Sequence, residues 1–225
     1  MTYIIAEFGT SHQGKLERAK NLCLQAREMG ADAAKFQLFV PREDLFCPLE
    51  GDELRWARWN ESTMLFPEWK HLKDFCDRIE IDFMASVFQH TAVEWMKELK
   101  PRYWKVASRA AMTFPYDEAP GPFLVSMGMI EEEADRPGVA MIWMQCRSQY
   151  PTKLSDRARW SGVYDGLSDH SGTVFPGLDA MARGCRFLEV HVENEPPDDI
   201  VSISWSDLKL LCEARDAFAE MRSGS

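Results

Sequence analysis

The chain has 225 residues, 45% of them hydrophobic, and a formal net charge of −10 with a pI near 5.0. That is enough apolar material for one large core. The acidic balance excludes a general nucleic-acid or anionic-membrane surface, though not a locally positive pocket. The opening MTYIIAEFGT has no basic leader, and no apolar run approaches the ~18 residues of a membrane span. The expectation is a soluble cytoplasmic protein with a single domain over 1–225. The six cysteines (Cys23, Cys47, Cys76, Cys146, Cys185 and Cys212) lack CxxC spacing, which reads as buried thiols in a reducing compartment.

YIIAEF (3–8) has strand character and is followed by a Gly/Ser/His/Gln loop. In the next segment Leu16, Ala19, Leu22, Cys23, Ala26 and Met29 recur at helical spacing, and Gly30 suits the C-cap. AAKFQLF (33–39) returns to strand, and residues 40–61 form a polar, Trp-bearing excursion. FPEWKHLKDFCDRIE reads as a helix with Pro67 near its start. IDFMASVF, YWKVAS, PFLVSMG and VAMIWMQC supply further strands, with the helix TAVEWMKELK between the first two. GVYDGLSD leads into a seventh strand, TVFPGLDAMARG is a helix, FLEVHV the eighth strand, and SWSDLKLLCEARDAFAEM a terminal helix capped by Ser204 or Ser206. Eight strands alternating with helical or shorter connections favour a closed (β/α)₈ TIM barrel, an α/β fold, over a doubly wound open sheet. AMTFPYDEAPG and IEEEADRPG are too short for full helices, so the barrel wall should be thinnest after strands four to six.

Strand parity then sorts the polar residues. Glu7 shares a face with Tyr3 and Ile5, Lys35 with Gln37, and Glu189 with Phe187 and His191. Lys105 alternates with Trp104 and Val106. Charges facing into a barrel are costly unless paired or occupied by a ligand. The alternatives are a structural ion-pair network and an anion pocket. His170 and His191 end neighbouring strands, where two imidazoles suit Mn²⁺, Co²⁺ or Zn²⁺, or serve as structural hydrogen-bonding groups. Asp169 either orients its neighbouring histidine or caps the following helix. His12 either faces a ligand or holds its loop shut. AEFGTSHQG lacks the GxxxxGK[ST] arrangement, so it gives no nucleotide loop.

IIAEFGTSHQGKLERAK, GADAAKFQLF, FMASVF, YWKVASRA, LVSMGM, CRSQYPT, GLSDHSG and LEVHVE occur in order from about residue 3 to about residue 210. Together they resemble the strands and loops of the sialic acid synthase (N-acetylneuraminate synthase) family. The resemblance implies condensation of phosphoenolpyruvate with an aldehyde sugar, N-acetylmannosamine or a related amino sugar, giving a nonulosonic acid and phosphate. It implies that Lys35, Ser86, Lys105, Ser108 and Ser126 hold phosphoenolpyruvate, with backbone at Gly128. It makes His170 and His191 the ligands of a divalent metal, Mn²⁺ first, with Mg²⁺, Co²⁺ or Zn²⁺ as alternatives. Glu7 becomes the acidic catalytic residue, alongside His170 and His191. Gln37, Ser148, Tyr150 and Asp198 fall on the sugar side, and a homodimer is the assembly that the resemblance allows.

The chain departs from the family pattern at four positions. Ser148 stands for an asparagine, Gln145 and Asp199 for histidines, and Val190 for a lysine. Arg109 and Arg147 are added charges, read either as contacts to a more anionic substrate or as partners of nearby acids. The resemblance covers the catalytic barrel and not the C-terminal antifreeze-like domain of many members. Two rival functions remain at this level: a lysine-dependent aldolase-like barrel using Lys35 or Lys105, and a noncatalytic anion-binding or assembly protein.

Overall fold

The computed structural model describes residues 1–130, 139–156, 159–193 and 198–223. Eight parallel strands form the barrel: β1 (Tyr3–Glu7), β2 (Ala33–Leu38), β3 (Asp82–Val87), β4 (Trp104–Val106), β5 (Phe123–Ser126), β6 (Met141–Cys146), β7 (Gly166–Asp169) and β8 (Phe187–Val192). Each pairs with the next, and β8 pairs back with β1 to close the cylinder. A short β9 (Ser202–Ile203) adds to the upper end of β8, a feature that sequence periodicity does not reach. Helices α1 (Leu16–Met29), α2 (Glu53–Glu61), α3 (Phe66–Arg78), α4 (His90–Leu99), α5 (Phe175–Ala182) and α6 (Trp205–Ser223) fill connections and the C-terminal end.

The local signals have physical partners. Gly30 ends α1 at φ 94°, a left-handed conformation that glycine adopts without a Cβ clash. Ser204 Oγ accepts the Asp207 N–H at 3.2 Å while Asp207 Oδ2 accepts from the Ser204 N–H at 3.2 Å, a reciprocal cap on α6. The other candidate, Ser206, lies inside the helix.

Parity places the side chains as the sequence implies. Ile4, Ala6, Ala34, Phe83, Val125, Leu188 and Val190 pack outward into the helix-facing core. Ile5, Ala33, Met84, Leu124, Met144 and Phe187 form a second apolar cluster that seals the lower barrel. Val190 therefore sits in a dry layer where a lysine ammonium would lack water. The connections after β4 and β6 contain no α-helix among the described residues, and that after β4 has two short 3-10 turns (Ser108–Ala110 and Tyr116–Glu118). The acidic stretch at 131–138, expected to be a thin connection, lies outside the described residues.

The excursion after β2 is folded over the barrel mouth. Both Arg109 terminal nitrogens bond the Asp52 carboxylate, Nη1 at 3.0 Å, and Nη2 also donates to the Cys47 carbonyl at 2.8 Å. The guanidinium lies 5.4 Å from the Trp59 ring centre. Of the two readings of Arg109, the structure thus takes the pairing one. Arg109→Ala is expected to cost about 1–3 kcal/mol, because it strips a half-buried carboxylate and a carbonyl of their donors. Hydrogen exchange should then accelerate across residues 46–60 while the barrel strands keep their protection. Unchanged exchange in that segment would contradict the clamp.

Candidate active site

A cavity of about 490 Å³ opens at the C-terminal ends of the strands. Register builds its floor. Glu7 lies opposite Lys35 on one side and His191 on the other, Ser86 opposite Lys105, and Ser168 opposite Glu189. Lys35 Nζ is 2.6 Å from Glu7 Oε2, 3.7 Å from Glu189 Oε2, and donates to Ser86 Oγ at 3.1 Å. Lys105 Nζ donates to Ser126 Oγ at 2.7 Å and lies 3.7 Å from Glu189 Oε1. Ser168 Oγ donates to the same Glu189 oxygen at 3.0 Å. Two ammonium groups and two carboxylates thus neutralise one another where water is excluded.

Burial opposes charge on all four groups, and their neighbours decide which keep it. For Lys35, Glu189 and Glu7 outweigh burial and push the amine up. For Lys105, burial wins, reinforced by Lys35, and the amine is held below its ordinary value. Burial also raises Glu7, against the pull of Lys35, so this carboxyl takes a proton more readily than an exposed one. Glu189 moves the other way, because Lys105 and Lys35 overcome its burial. Glu189 is therefore the fixed counter-charge and Glu7 the more easily protonated acid.

A narrow cradle rises beside Lys105. The Gly128 N–H donates to Ser108 Oγ at 3.1 Å, and Ser108 Oγ lies 3.4 Å from Cys146 Sγ. A Cβ added at Gly128 would come within 2.5 Å of Ser148 Oγ and 2.9 Å of Ser108 Oγ. An added Cβ would therefore have to push these hydroxyls out of the cradle.

The two imidazoles sit above this floor, their ring centres 5.0 Å apart. Tyr150 stacks on His170 at 4.3 Å, with its hydroxyl 3.3 Å from His170 Nε2. His170 Nδ1 meets the Arg147 carbonyl at 2.6 Å and lies 3.9 Å from Cys146 Sγ. Burial opposes a charged His170, but the Cys146 sulfur, the Arg147 carbonyl and Glu189 outweigh it and raise this group to about 9. Burial also opposes the Cys146 thiolate, and His170, Ser108 and Lys105 overcome it, bringing the thiol down to about 7. His191 is held well below its ordinary value by burial and by His170 and both lysines, so it is a neutral nitrogen donor.

The donor set fits a divalent cation in part. His191 is already neutral, whereas His170, oriented by the Arg147 carbonyl on Nδ1, holds its proton up to about 9 and turns Nε2 toward the Tyr150 hydroxyl, so a cation would have to displace both that proton and that contact. Among the described residues no third His, Cys, Asp or Glu completes a cluster with them. The protein thus offers two nitrogens, and substrate or water oxygens would have to supply the remaining positions.

Of the residues singled out in the sequence, Gln37, Ser148 and Tyr150 line the same cavity as Glu7, the lysines and the histidines. Gly128 stands at its edge through Ser108. Asp198 begins a 3-10 turn (Asp198–Val201), and its side chain lies outside the described residues. Asp169 is neither a histidine orienter nor a helix cap. Its carboxylate accepts the Ser171 N–H at 3.0 Å and hydroxyl at 2.8 Å, closing a local turn, while α5 starts later at Phe175. Ser168, two residues before His170, also lines the cavity and was not anticipated. Cys146, Arg55 and Arg58 were not anticipated, although all three line the cavity.

His12 holds its loop and does not line the cavity. It is fully buried against Phe36 and Trp69, and Nδ1 accepts the Gly14 N–H at 3.2 Å. Burial lowers it to about 4. In the unfolded chain it would take a proton near pH 6.5, so between pH 6.5 and 4 the unfolded state binds more protons. Stability is therefore lost as pH falls through that window, by about 3 kcal/mol for this group. His12→Gln should flatten that part of the stability profile. An unchanged pH slope in urea unfolding would contradict the assignment.

A closed parallel barrel with a buried, paired set of lysines and carboxylates at its C-terminal mouth defines the TIM-barrel class in which that end carries the active site. The family model described as the NeuB family matches residues 22–224, and the chain belongs to that family. It is 28% identical to the N-acetylneuraminate-9-phosphate synthase of Mus musculus, over 84% of this chain and 61% of that protein. It is 26% identical to the N,N'-diacetyllegionaminic acid synthase of Legionella pneumophila, over 99% of this chain and 74% of that one. The chain thus spans about three fifths of the length of its mouse relative. The crystal structure of the sialic acid synthetase of Leptospira borgpetersenii, in complex with citrate, shares the fold at TM-score 0.81 and 21% identity, covering 98% of this chain and 84% of that one. Among the described residues no helix is long and apolar enough to cross a membrane.

Proposed function

We propose that this barrel condenses phosphoenolpyruvate with the open-chain aldehyde of an amino sugar, N-acetylmannosamine or a close relative, releasing phosphate. The observation that carries the reading is the pair of buried lysines, each bonded to a serine, beneath two imidazoles from adjacent strands. Family membership and the activities for which the relatives are named support it.

Phosphoenolpyruvate brings a phosphate and a carboxylate, and Lys35 and Lys105 match that charge. Ser86, Ser108 and Ser126 supply directional hydroxyls, and Gly128 an amide in the tight cradle. A divalent cation held by His170 and His191, Mn²⁺ in the first instance, would polarise the aldehyde carbonyl. The phosphoenolpyruvate methylene carbon forms the new C–C bond to the aldehyde carbon, whose oxygen becomes a hydroxyl. Water adds to the phosphate-bearing carbon, and Glu7 stands ready to take its proton. The C–O bond to phosphate then breaks, leaving a ketone. Gln37, Tyr150 and Ser148, with Asp198, form the acceptor side. Cytoplasmic location and a homodimer belong to the same reading.

The lowered Lys105 amine favours one alternative, an aldolase-like Schiff base. The two are separated by one assay set with phosphoenolpyruvate, Mn²⁺ and a panel of amino sugars and simpler aldehydes. Metal-dependent phosphate release that falls in His170→Ala but not in His71→Ala, an exposed position on α3, supports the condensation. A borohydride-trapped lysine adduct without phosphate release supports the aldolase.

A further inference from the structure

We propose that Tyr150 is a gate on the cation site: its phenol covers the His170 nitrogen that would hold the ion, and it swings aside when the ion binds. The proposal rests on the reading of His170 and His191 as the cation's ligands, and it assigns Tyr150 a task beyond lining the acceptor side.

The His170 ring leaves one nitrogen for an ion. Nδ1 lies 2.6 Å from the Arg147 carbonyl, and a carbonyl oxygen only accepts, so Nδ1 carries a hydrogen. Nε2 is the atom that remains, and the Tyr150 hydroxyl lies 3.3 Å from it. Whichever of the two donates, the position is engaged. The cover reaches both imidazoles. The Tyr150 ring stacks on His170 with the planes 25° apart, and it meets His191 edge-on with ring centres 6.3 Å apart. The two histidines are 6% and 7% exposed, whereas Tyr150 is 49% exposed. The phenol is therefore the solvent-facing layer over a buried pair.

The backbone around Tyr150 suits a local motion. Both ends of the segment are tied to His170 itself. Arg147 is held through its carbonyl, and the Thr152 N–H donates to the His170 carbonyl at 2.8 Å. Thr152 is buried, and its hydroxyl donates to the Gln149 carbonyl at 3.0 Å. Residues 147–151 between β6 and this anchor are exposed and belong to no helix or strand. Rotation of the Tyr150 side chain to another staggered position takes the ring off the imidazole and leaves the anchors in place. The motion gives up one neutral hydrogen bond and one ring stack, which the ion's bond to Nε2 offsets. Loading of the cation and release of the Tyr150 hydroxyl are then one event.

The test is Mn²⁺ binding to the whole chain at one fixed pH, read from the electron paramagnetic resonance of the free ion, with no substrate added. Tyr150→Phe keeps the ring and removes the hydroxyl. It should tighten Mn²⁺ by roughly two- to tenfold, the worth of one neutral hydrogen bond. His191→Ala should abolish saturable binding in either background. In protein carrying ¹³C-labelled tyrosine and histidine, the nuclear Overhauser contact between the Tyr150 and His170 rings should vanish on saturation with diamagnetic Zn²⁺. The gate is overturned if Tyr150→Phe binds Mn²⁺ as the parent does, or if the ring contact persists in the Zn²⁺-saturated protein. Weaker binding by Tyr150→Phe also overturns it and makes the phenol a ligand. Binding by neither protein, or binding that survives His191→Ala unchanged, removes the cation site itself and the gate with it.

Discussion

Lys105→Met is expected to weaken phosphoenolpyruvate binding by roughly 30- to 4,000-fold. The range follows from the ~2–5 kcal/mol lost when one partner of a buried charge pair is truncated, at ~1.4 kcal/mol per factor of ten. Met fills the space of the lysine stem without the charge. The fold should tolerate the change. Burial already disfavours the Lys105 ammonium, and Glu189 keeps Lys35 and Ser168 as partners. Calorimetric titration of the variant checks this, with Lys97→Met as the control, since Lys97 pairs with Glu94 at the surface. An affinity within threefold of the parent would remove Lys105 from the anion pocket.

Glu7→Gln is expected to lower kcat by about 10²–10⁴-fold, the usual worth of a positioned acid–base group. The amide keeps the shape, and its oxygen can still accept the Gly9 N–H, which now reaches Glu7 Oε1 at 3.1 Å. What it loses is the proton-transfer capacity that burial tunes upward in this carboxyl. Phosphoenolpyruvate affinity should hold or tighten, because Lys35 sheds a competing carboxylate 2.6 Å away. Steady-state kinetics separate the two effects. A fall in affinity with kcat preserved would make Glu7 a structural counter-ion.

The barrel and its pocket were legible because a strand's side-chain period of two is a strict rule. Knowing that Ile5 faces in was enough to place Glu7, and Phe187 likewise placed Glu189 and His191. Contacts between loops carry no such period. The tryptophans of WARWNESTMLF already allowed a segment sealing the mouth, but nothing local in the sequence ties Arg109 to Asp52, 57 positions away, so the bond that fastens it became visible only in three dimensions. The same holds for Cys146 beside His170 and for Gln145 pinning the 159–161 backbone. His12 shows the reverse case. Its place in a polar loop gave no hint that Phe36 and Trp69 would bury it completely.

The central claim is a condensation that breaks the C–O bond of phosphoenolpyruvate in this cavity. It is tested most directly by running the Mn²⁺-supplied reaction with N-acetylmannosamine and related aldehydes in H₂¹⁸O, weighing both products. Unlabelled phosphate is expected, together with a keto acid whose mass is that of acceptor plus phosphoenolpyruvate plus water minus phosphate. Phosphate carrying ¹⁸O, or no phosphate with any aldehyde, would contradict it.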